Sequence, residues 1–525
     1  MGEPVGEVVR LAFDRRLMLR FRGSVLTSDA GLLGNSEHRF LSVFLVLSSL
    51  SLIIPTFAWA DNDAGQQMQM PMLDDAVLSN MLAQMRSLGG LRPALADAGV
   101  DITFSYYGEL LSNPVGGVRQ GLIYEGRLGT LIDADLDKLV GWSGATFHAS
   151  IHQINGEGLS AGFVENLMLA SGIEAPATTR LFNLWAEQKI GDNATLRFGQ
   201  ITAGQEFFIS RNANLFVNSK FGWPVIVAQD LPSGGPSYPE ATPGMRLRIN
   251  PNEAITIKAA IFDGNPAGPG TGNPVSRDPY GLAFRITDPP LLMTEIDYAY
   301  NRGFEGGNPN LEGSGNSILD QQSTDSAASS PALPGIIRLG SWLHTGQFAD
   351  ERFDQLGLLL ANPANTEPPL QHNADFGIYT SIDQMLWRAP GGAKDQGLNG
   401  FIRVSGAPGD RNMINFYTDF GLTYKGLLAG RPDDLAGIGF AYARISPLLS
   451  ARDQEMVAFT GVPMPVPDYE ATIELTYRAI ITQNWAIQPD LQYIINPGGN
   501  APNPLNPAAR IPNAFVAGAQ TIIRF

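Results

Sequence analysis

The chain contains no cysteine. Thiolate metal centres, cysteine nucleophiles and disulfides are therefore excluded. Charge is also scarce. Only 16% of the residues are Asp, Glu, Lys or Arg, and the net charge is −16, so no basic surface is available for nucleic-acid phosphates. Histidine occurs five times, at positions 38, 148, 152, 344 and 372. His148 and His152 would share one face of a strand, but about 13 Å apart, too far for a common metal. H-E-x-x-H is not present, and "GLSAG" (158–162), which has the G-x-S-x-G form, lies in a link between two-faced segments and not on a strand-to-helix turn. "GNPAGPGTGNP" (264–274) is glycine-rich but is followed by neither a helix nor Lys-Ser/Thr. These features argue against the usual metalloprotease and nucleotide-binding classes, and they call for no cofactor or metal. After residue 60 no apolar run of about twenty residues occurs, so no transmembrane helix is expected.

What is present is a folded composition, 44% hydrophobic, punctuated by 58 Gly and 37 Pro. The one long apolar run is "FLSVFLVLSSLSLIIPTFAWA" (40–60). Arg39 precedes it, Pro55 breaks it near its end, and Ala58-Trp59-Ala60 forms a small-residue cleavage pattern before Asp61. That is the form of a secretory signal. The competing reading is a membrane-anchoring helix, but the cleavage pattern and the polar "DNDAGQQ" that follows favour removal. Residues 1–38 are unlike a signal n-region. They point to a start codon placed too far upstream, with Met18 a candidate start. Residues 1–60 are thus expected to be leader. Residues 61–99 are expected to be a polar linker (61–72) and a short periplasmic helix (73–98), with Leu73, Val77, Leu78, Met81, Leu82 and Met85 at helical spacing.

From residue 100 the period changes to two and stays there. In "YEGRLGTLIDAD" (124–135), Tyr124, Leu128 and Ile132 oppose Glu125, Arg127 and Asp133. In "LLMTEIDYAY" (291–300), Leu292, Ile296 and Tyr298 oppose Glu295 and Asp297. In "TIELTYR" (472–478), Ile473, Leu475 and Tyr477 oppose Glu474, Thr476 and Arg478. Seventeen such segments can be marked, among them 145–152, 194–201, 244–250, 254–263, 279–287, 373–386 and 513–525. Tight links, "GDN" (191–193), "NPNE" (250–253), "DPPL" (288–291) and "TQN" (482–484), alternate with long Gly/Pro/Asn/Ser stretches at 202–242, 264–278, 302–334, 347–372, 447–466 and 495–512. So many long loops count against a compact soluble domain. They are ordinary for an outer-membrane barrel with short periplasmic turns and long external loops.

Two-faced strands also occur in a soluble sandwich. Two features favour the barrel. Aromatics end the apolar faces (Tyr124, Tyr298, Tyr300, Tyr424, Trp485, Tyr493, Phe525), as an interfacial girdle requires. The polar faces carry full charges on many strands. The expected fold is therefore all-β: a closed antiparallel transmembrane barrel over 100–525, of about sixteen strands, eighteen being the other even count considered. Phe525 ends the last strand, "FVAGAQTIIRF" (515–525), which is expected to pair with the first, with Gln520 and Arg524 toward the lumen.

The same residues resemble the carbohydrate-selective OprB-type porins of Gram-negative outer membranes. The strongest similarity is "YEATIELTYRAIITQNWAIQPDLQYIINPGG" (469–499). Others are "LRPALADAGVDITFSYYGELLSNPVGG" (91–117), "FVNSKFG" (216–222), "GIYTSIDQMLWR" (377–388) and "DFGLTYKGLLAGRPDD" (419–434). The chain departs from that pattern at Asn513 and Gln520, so no role is carried onto them. The resemblance implies a barrel of about sixteen strands, a homotrimer in outer-membrane lipid, and passive movement of sugars and other small solutes. A porin-like channel for organic acids or aromatic compounds is the alternative.

A neutral sugar needs opposed charged or amide groups and aromatic faces to stack on. Two strands supply both. In "RLFNLWAEQKI" (180–190), Phe182, Leu184 and Ile190 form the apolar face, and Trp185 shares the other with Asn183, Glu187 and Lys189. In "IIRLGSWLH" (336–344), Trp342 shares the polar face with Arg338 and His344. The competing readings are girdle tryptophans with the register slipped by one, or tryptophans packed beneath an infolded loop. Further lining candidates carry both signs: Glu125, Glu295, Asp297 and Asp383 against Arg127, Arg197, Arg246 and Arg248. A phosphate pore would show a one-sided basic ring. The long segment 202–242 either folds inward, exposing Arg211, Asn214, Asn218 and Lys220 to solute, or caps the barrel from outside. N-terminal sequencing of the exported protein should begin at Asp61, and a chain started at Met18 should be exported equally well; a retained hydrophobic segment would restore the anchor reading.

Overall fold

The computed structural model describes residues 91–301 and 332–525. The signal, the linker and most of the expected helix lie outside these residues. Of 73–98, Leu91–Asp97 is described and is helical. Among the described residues no helix is long and apolar enough to cross a membrane. Strands do so instead.

Sixteen antiparallel strands close into one barrel. They are β1 (Val100–Val115), β2 (Leu122–Asp135), β3 (Ala145–Gly156), β4 (Thr178–Ile190), β5 (Ala194–Ile201), β6 (Thr242–Asn252), β7 (Ile255–Asp263) and β8 (Pro290–Tyr300). The second half is β9 (Gly335–His344), β10 (Asp375–Arg388), β11 (Gly397–Gly406), β12 (Ile414–Lys425), β13 (Leu435–Ile445), β14 (Tyr469–Thr482), β15 (Trp485–Ile495) and β16 (Ala514–Arg524). Each strand pairs with its sequence neighbour, and β16 pairs with β1, Glu109 facing Gln520 and Leu110 facing Ala519. At the seam, Phe104 and Phe525 exchange both backbone hydrogen bonds, at 2.9 and 3.0 Å. Their rings stack 5.6 Å apart. The terminal aromatic thus fastens the closure.

The alternation sorts as lipid outside and water inside require. On β9, Ile337 and Leu339 are exposed while Arg338 and Trp342 are buried. On β14, Ile473 and Leu475 are exposed while Glu474 and Arg478 are buried. Aromatics border the exposed band at both ends. Tyr298, Trp387, Trp485 and Phe525 lie toward the end bearing the tight turns, and Tyr124, Tyr442, Tyr469 and Tyr493 toward the other.

Three expectations need correction. The seventeenth segment, 279–287, is not a strand. Phe284 takes a left-handed backbone (φ 41°), which breaks an extended ladder. The segment instead lies along the part of β4 that short β5 leaves uncovered, with Leu181 N–H donating to the Tyr280 carbonyl at 2.9 Å. "DPPL" accordingly leads into β8 and is not a turn between strands. Short connections do not join all the strands at the end of the tight turns 191–193 and 483–484: β8 ends there at Tyr300, and β9 begins there only at Gly335. Finally, Phe182 does not face lipid. The register of β4 slips between its pairings Asn183–Ser150 and Leu181–Ile151. The extra residue of that bulge, Phe182, turns inward and stacks on His152 at 4.6 Å.

Phe525→Asp should weaken the seam by about 1–2 kcal/mol, the worth of the lost aromatic pair and of a charge at the interface. Urea unfolding read by heat-modifiable gel mobility measures it, and an unchanged midpoint would remove Phe525 from the closure.

Candidate channel constriction

At Thr202 the chain leaves the wall after β5 and enters the lumen, returning only at Thr242. The composition of this loop explains the choice. Phe207, Phe208, Leu215, Phe216, Phe221, Trp223 and the run Val225–Val227 would be costly in external water, and all are buried. The wall makes room for them. A Cβ at Gly437 would come within 2.7 Å of Leu215, and one at Gly439 within 2.8 Å of Phe221. Small residues on β13 therefore form the seat of the loop.

The charged lumen face holds the loop's backbone. The Glu474 carboxylate accepts hydrogen bonds from the Val217 and Asn218 N–H groups at 2.5 and 3.1 Å. Asp383 accepts from the Ser210 hydroxyl at 2.7 Å and the Asn212 N–H at 3.2 Å, while Arg338 pairs with its other oxygen at 2.9 Å. Arg403 donates to the carbonyls of Phe208, Lys220 and Gly222, each at 2.9 Å, and pairs with Asp419. Lys258 donates to the Glu206 carbonyl at 2.8 Å and pairs with Glu295 and Asp297. Glu295 also accepts from the Tyr379 hydroxyl at 2.6 Å.

A denser cluster anchors the loop's entry. Glu206 faces Arg197 at 2.8 Å, Arg246 at 3.0 Å and Arg248 at 3.5 Å. Glu187 bridges Arg197 at 3.0 Å and Arg246 at 2.6 Å. Asn183 donates to Gln205 at 3.0 Å. A second inward loop, 157–177, is tied to the first: Gly172 N–H donates to the Val217 carbonyl and Ser219 N–H to that of Leu169. Glu470 accepts from the N–H groups of Leu167 and Met168 at 2.8 and 2.7 Å.

This geometry corrects the expected stacking platforms. Trp185 is 3% exposed and Trp342 2%. Trp185 has the His148 ring against it at 4.9 Å and the Arg197 guanidinium over it at 3.7 Å. Trp342 lies over Gly377, donates to Asp375 at 3.4 Å and borders Phe208. Neither keeps an open face for a sugar, because the inward loop and the wall cover both. Of the loop residues expected to meet solute, Arg211 and Asn214 are half-buried, while Asn218 and Lys220 are buried. Arg285, in the 279–287 segment, pairs with Asp288 at 2.8 Å.

Most expected lining residues from β4 to β10 therefore serve the loop or one another. Arg127 on β2 differs, meeting the loop at the Tyr238 ring and not at its backbone. Glu125 lies directly across from Glu109 of β1, and the Glu109 side chain bonds to Gln520 of β16. Among the described residues, Glu109 Oε2, Glu125 Oε1, Arg127 Nε and Nη1, and Arg180 Nε have no hydrogen-bond partner. All four side chains are almost fully buried. Buried polar groups without partners are rare and mark sites of function or of missing ligand. Glu109 and Arg180 escaped the sequence reading, although each lies two residues from an aromatic, Tyr107 and Phe182. Tyr238 and Glu240 escaped it because they belong to a loop.

A closed barrel with a charged lumen face and an inward loop narrowing it defines an outer-membrane porin. Residues 119–525 match the model of the family described as carbohydrate-selective porin, OprB family. The chain belongs to that family. It is 25% identical over 458 residues to Porin B of Pseudomonas aeruginosa, which covers 82% of this chain and 88% of that protein. The high-pH structure of Pseudomonas putida OprB has the same fold, with a TM-score of 0.68 and 24% identity over 84% of this chain and 97% of that one.

Replacing Arg403 with Ala should strand Asp419 and free three loop carbonyls, lowering stability by about 3–5 kcal/mol. Limited proteolysis within 202–242 should accelerate with it. The Arg403→Ala, Asp419→Ala pair should cost less than the single change; equal costs would show that the buried ion pair is not what holds the loop.

Proposed function

We propose that the protein conducts neutral sugars passively across the outer membrane of a Gram-negative bacterium, along a track on the β1–β4 wall. The observation that carries this is the division of the lumen charges. Most of those from β4 to β14, Arg180 among them, hold the inward loops, while Glu109, Glu125 and Arg127 on β1 and β2 keep unused donors and acceptors of both signs. A sugar hydroxyl both donates and accepts, so a mixed set replaces its water without favouring an ion. Residues 40–60 are the export signal on this reading, and three copies form the working unit.

Reconstitution into planar bilayers tests it. Glucose should block the ion current, and Glu125→Gln and Arg127→Met should each weaken the block about tenfold, the worth of one hydrogen bond to a charged group. Faster liposome entry of succinate than of glucose would favour the organic-acid reading. Unchanged block in both variants would move the track off this wall.

A further inference from the structure

The returning limb of the inward loop runs back against the β2–β4 wall. Its position is pinned at two points. The Pro236 carbonyl accepts from the N–H groups of Ala203 and Gly204 at 2.6 and 3.2 Å, joining the limb to the loop's own entry. Glu240 takes two parallel hydrogen bonds from Arg180 of β4, at 3.1 and 2.7 Å, with both side chains buried. A bidentate pair of this kind fixes orientation as well as distance.

Between these two anchors stands Tyr238. Its ring lies 5.3 Å from the Arg127 guanidinium of β2, 5.7 Å from the His152 ring of β3 and 5.9 Å, edge-on, from Phe182 of β4. Tyr107 of β1 approaches the same guanidinium at 4.6 Å. The Tyr238 hydroxyl donates to the Ile173 carbonyl of the second inward loop at 2.9 Å. One side chain therefore touches three wall strands and both loops. Tyr238 is half-buried, whereas Glu125, Arg127 and Phe182 around it are buried. The ring covers a guanidinium with two unpartnered nitrogens.

We propose that Tyr238 sets the size limit of the channel, its ring being the contact that a sugar must displace, and against which it stacks, to reach Arg127 and Glu125. This rests on the sugar-track reading above. An aromatic ring suits the role because its face accepts the C–H patch of a pyranose while its edge keeps the cation–π contact with the arginine. The ring is held by its contacts with Arg127, His152 and Phe182, to which the hydroxyl adds one bond to a loop carbonyl, while the limb that carries it stays clamped by Glu240.

The test uses the full chain in liposomes, with glucose and the disaccharide maltose as probes and heat-modifiable gel mobility to confirm the assembled barrel. Tyr238→Ala and Tyr238→Leu should raise the maltose-to-glucose rate ratio several-fold. Tyr238→Phe keeps the ring and should stay near wild type, and Tyr238→Trp should lower the ratio. A merely structural tyrosine would give losses of assembled barrel in every variant and no ordering by ring size. If either small variant fails to assemble, the ordering of the others decides. An unchanged ratio with glucose entry intact overturns the role of Tyr238 and leaves the sugar reading standing. Wild-type liposomes that admit no glucose overturn the sugar reading, and this inference with it.

Discussion

The structure depends on one constraint: inside a bilayer every backbone N–H and C=O must find its partner within the protein. A sheet meets it only by closing. The pairing of β16 with β1, fastened where Phe104 and Phe525 exchange hydrogen bonds and stack, is therefore the condition for every other feature. Closure also inverts the usual placement of side chains. Leu339 and Leu475 turn outward to hydrocarbon, and Arg338 and Glu474 turn inward.

The second constraint follows from the first. A closed lumen wide enough for water would not discriminate, so the protein narrows it with its own backbone. A loop buried in this way brings polar groups that need partners. The wall supplies them as full charges: carboxylates accept loop N–H groups at Glu474 and Asp383, and cations donate to loop carbonyls from Arg403 and Lys258. Charge-assisted bonds are stronger than neutral ones, and Asp383, Arg403 and Lys258 each also pair with an opposite charge, which offsets the cost of their desolvation. Most lumen charge thus has a structural task, and the solute meets what remains.

How much was legible differs by scale. Period-two patterning exposed the strands because each has one wet and one greasy face, a property local to about ten residues. It misled at 279–287, where Tyr280, Leu282, Phe284 and Ile286 alternate and are exposed without any ladder. It misled again at Phe182, because one extra residue in a bulge reverses which way the ring points. Among the site residues, Glu125 and Arg127 were readable from the charge on a polar face. The burial of Trp185 and Trp342 was not, since the loop that covers them is distant in sequence.

By itself the sequence determined the architecture. The alternation, the aromatic ends of the strands and the terminal phenylalanine each report a residue's preference for lipid, interface or water, and such preferences are written position by position. Only the tertiary structure decided which lumen groups hold the loops and which are left for a solute. That division depends on where residues 202–242 come to rest against strands hundreds of positions away. A carboxylate such as Asp383 and one such as Glu125 look alike in the sequence; what separates them is whether a loop N–H happens to reach them.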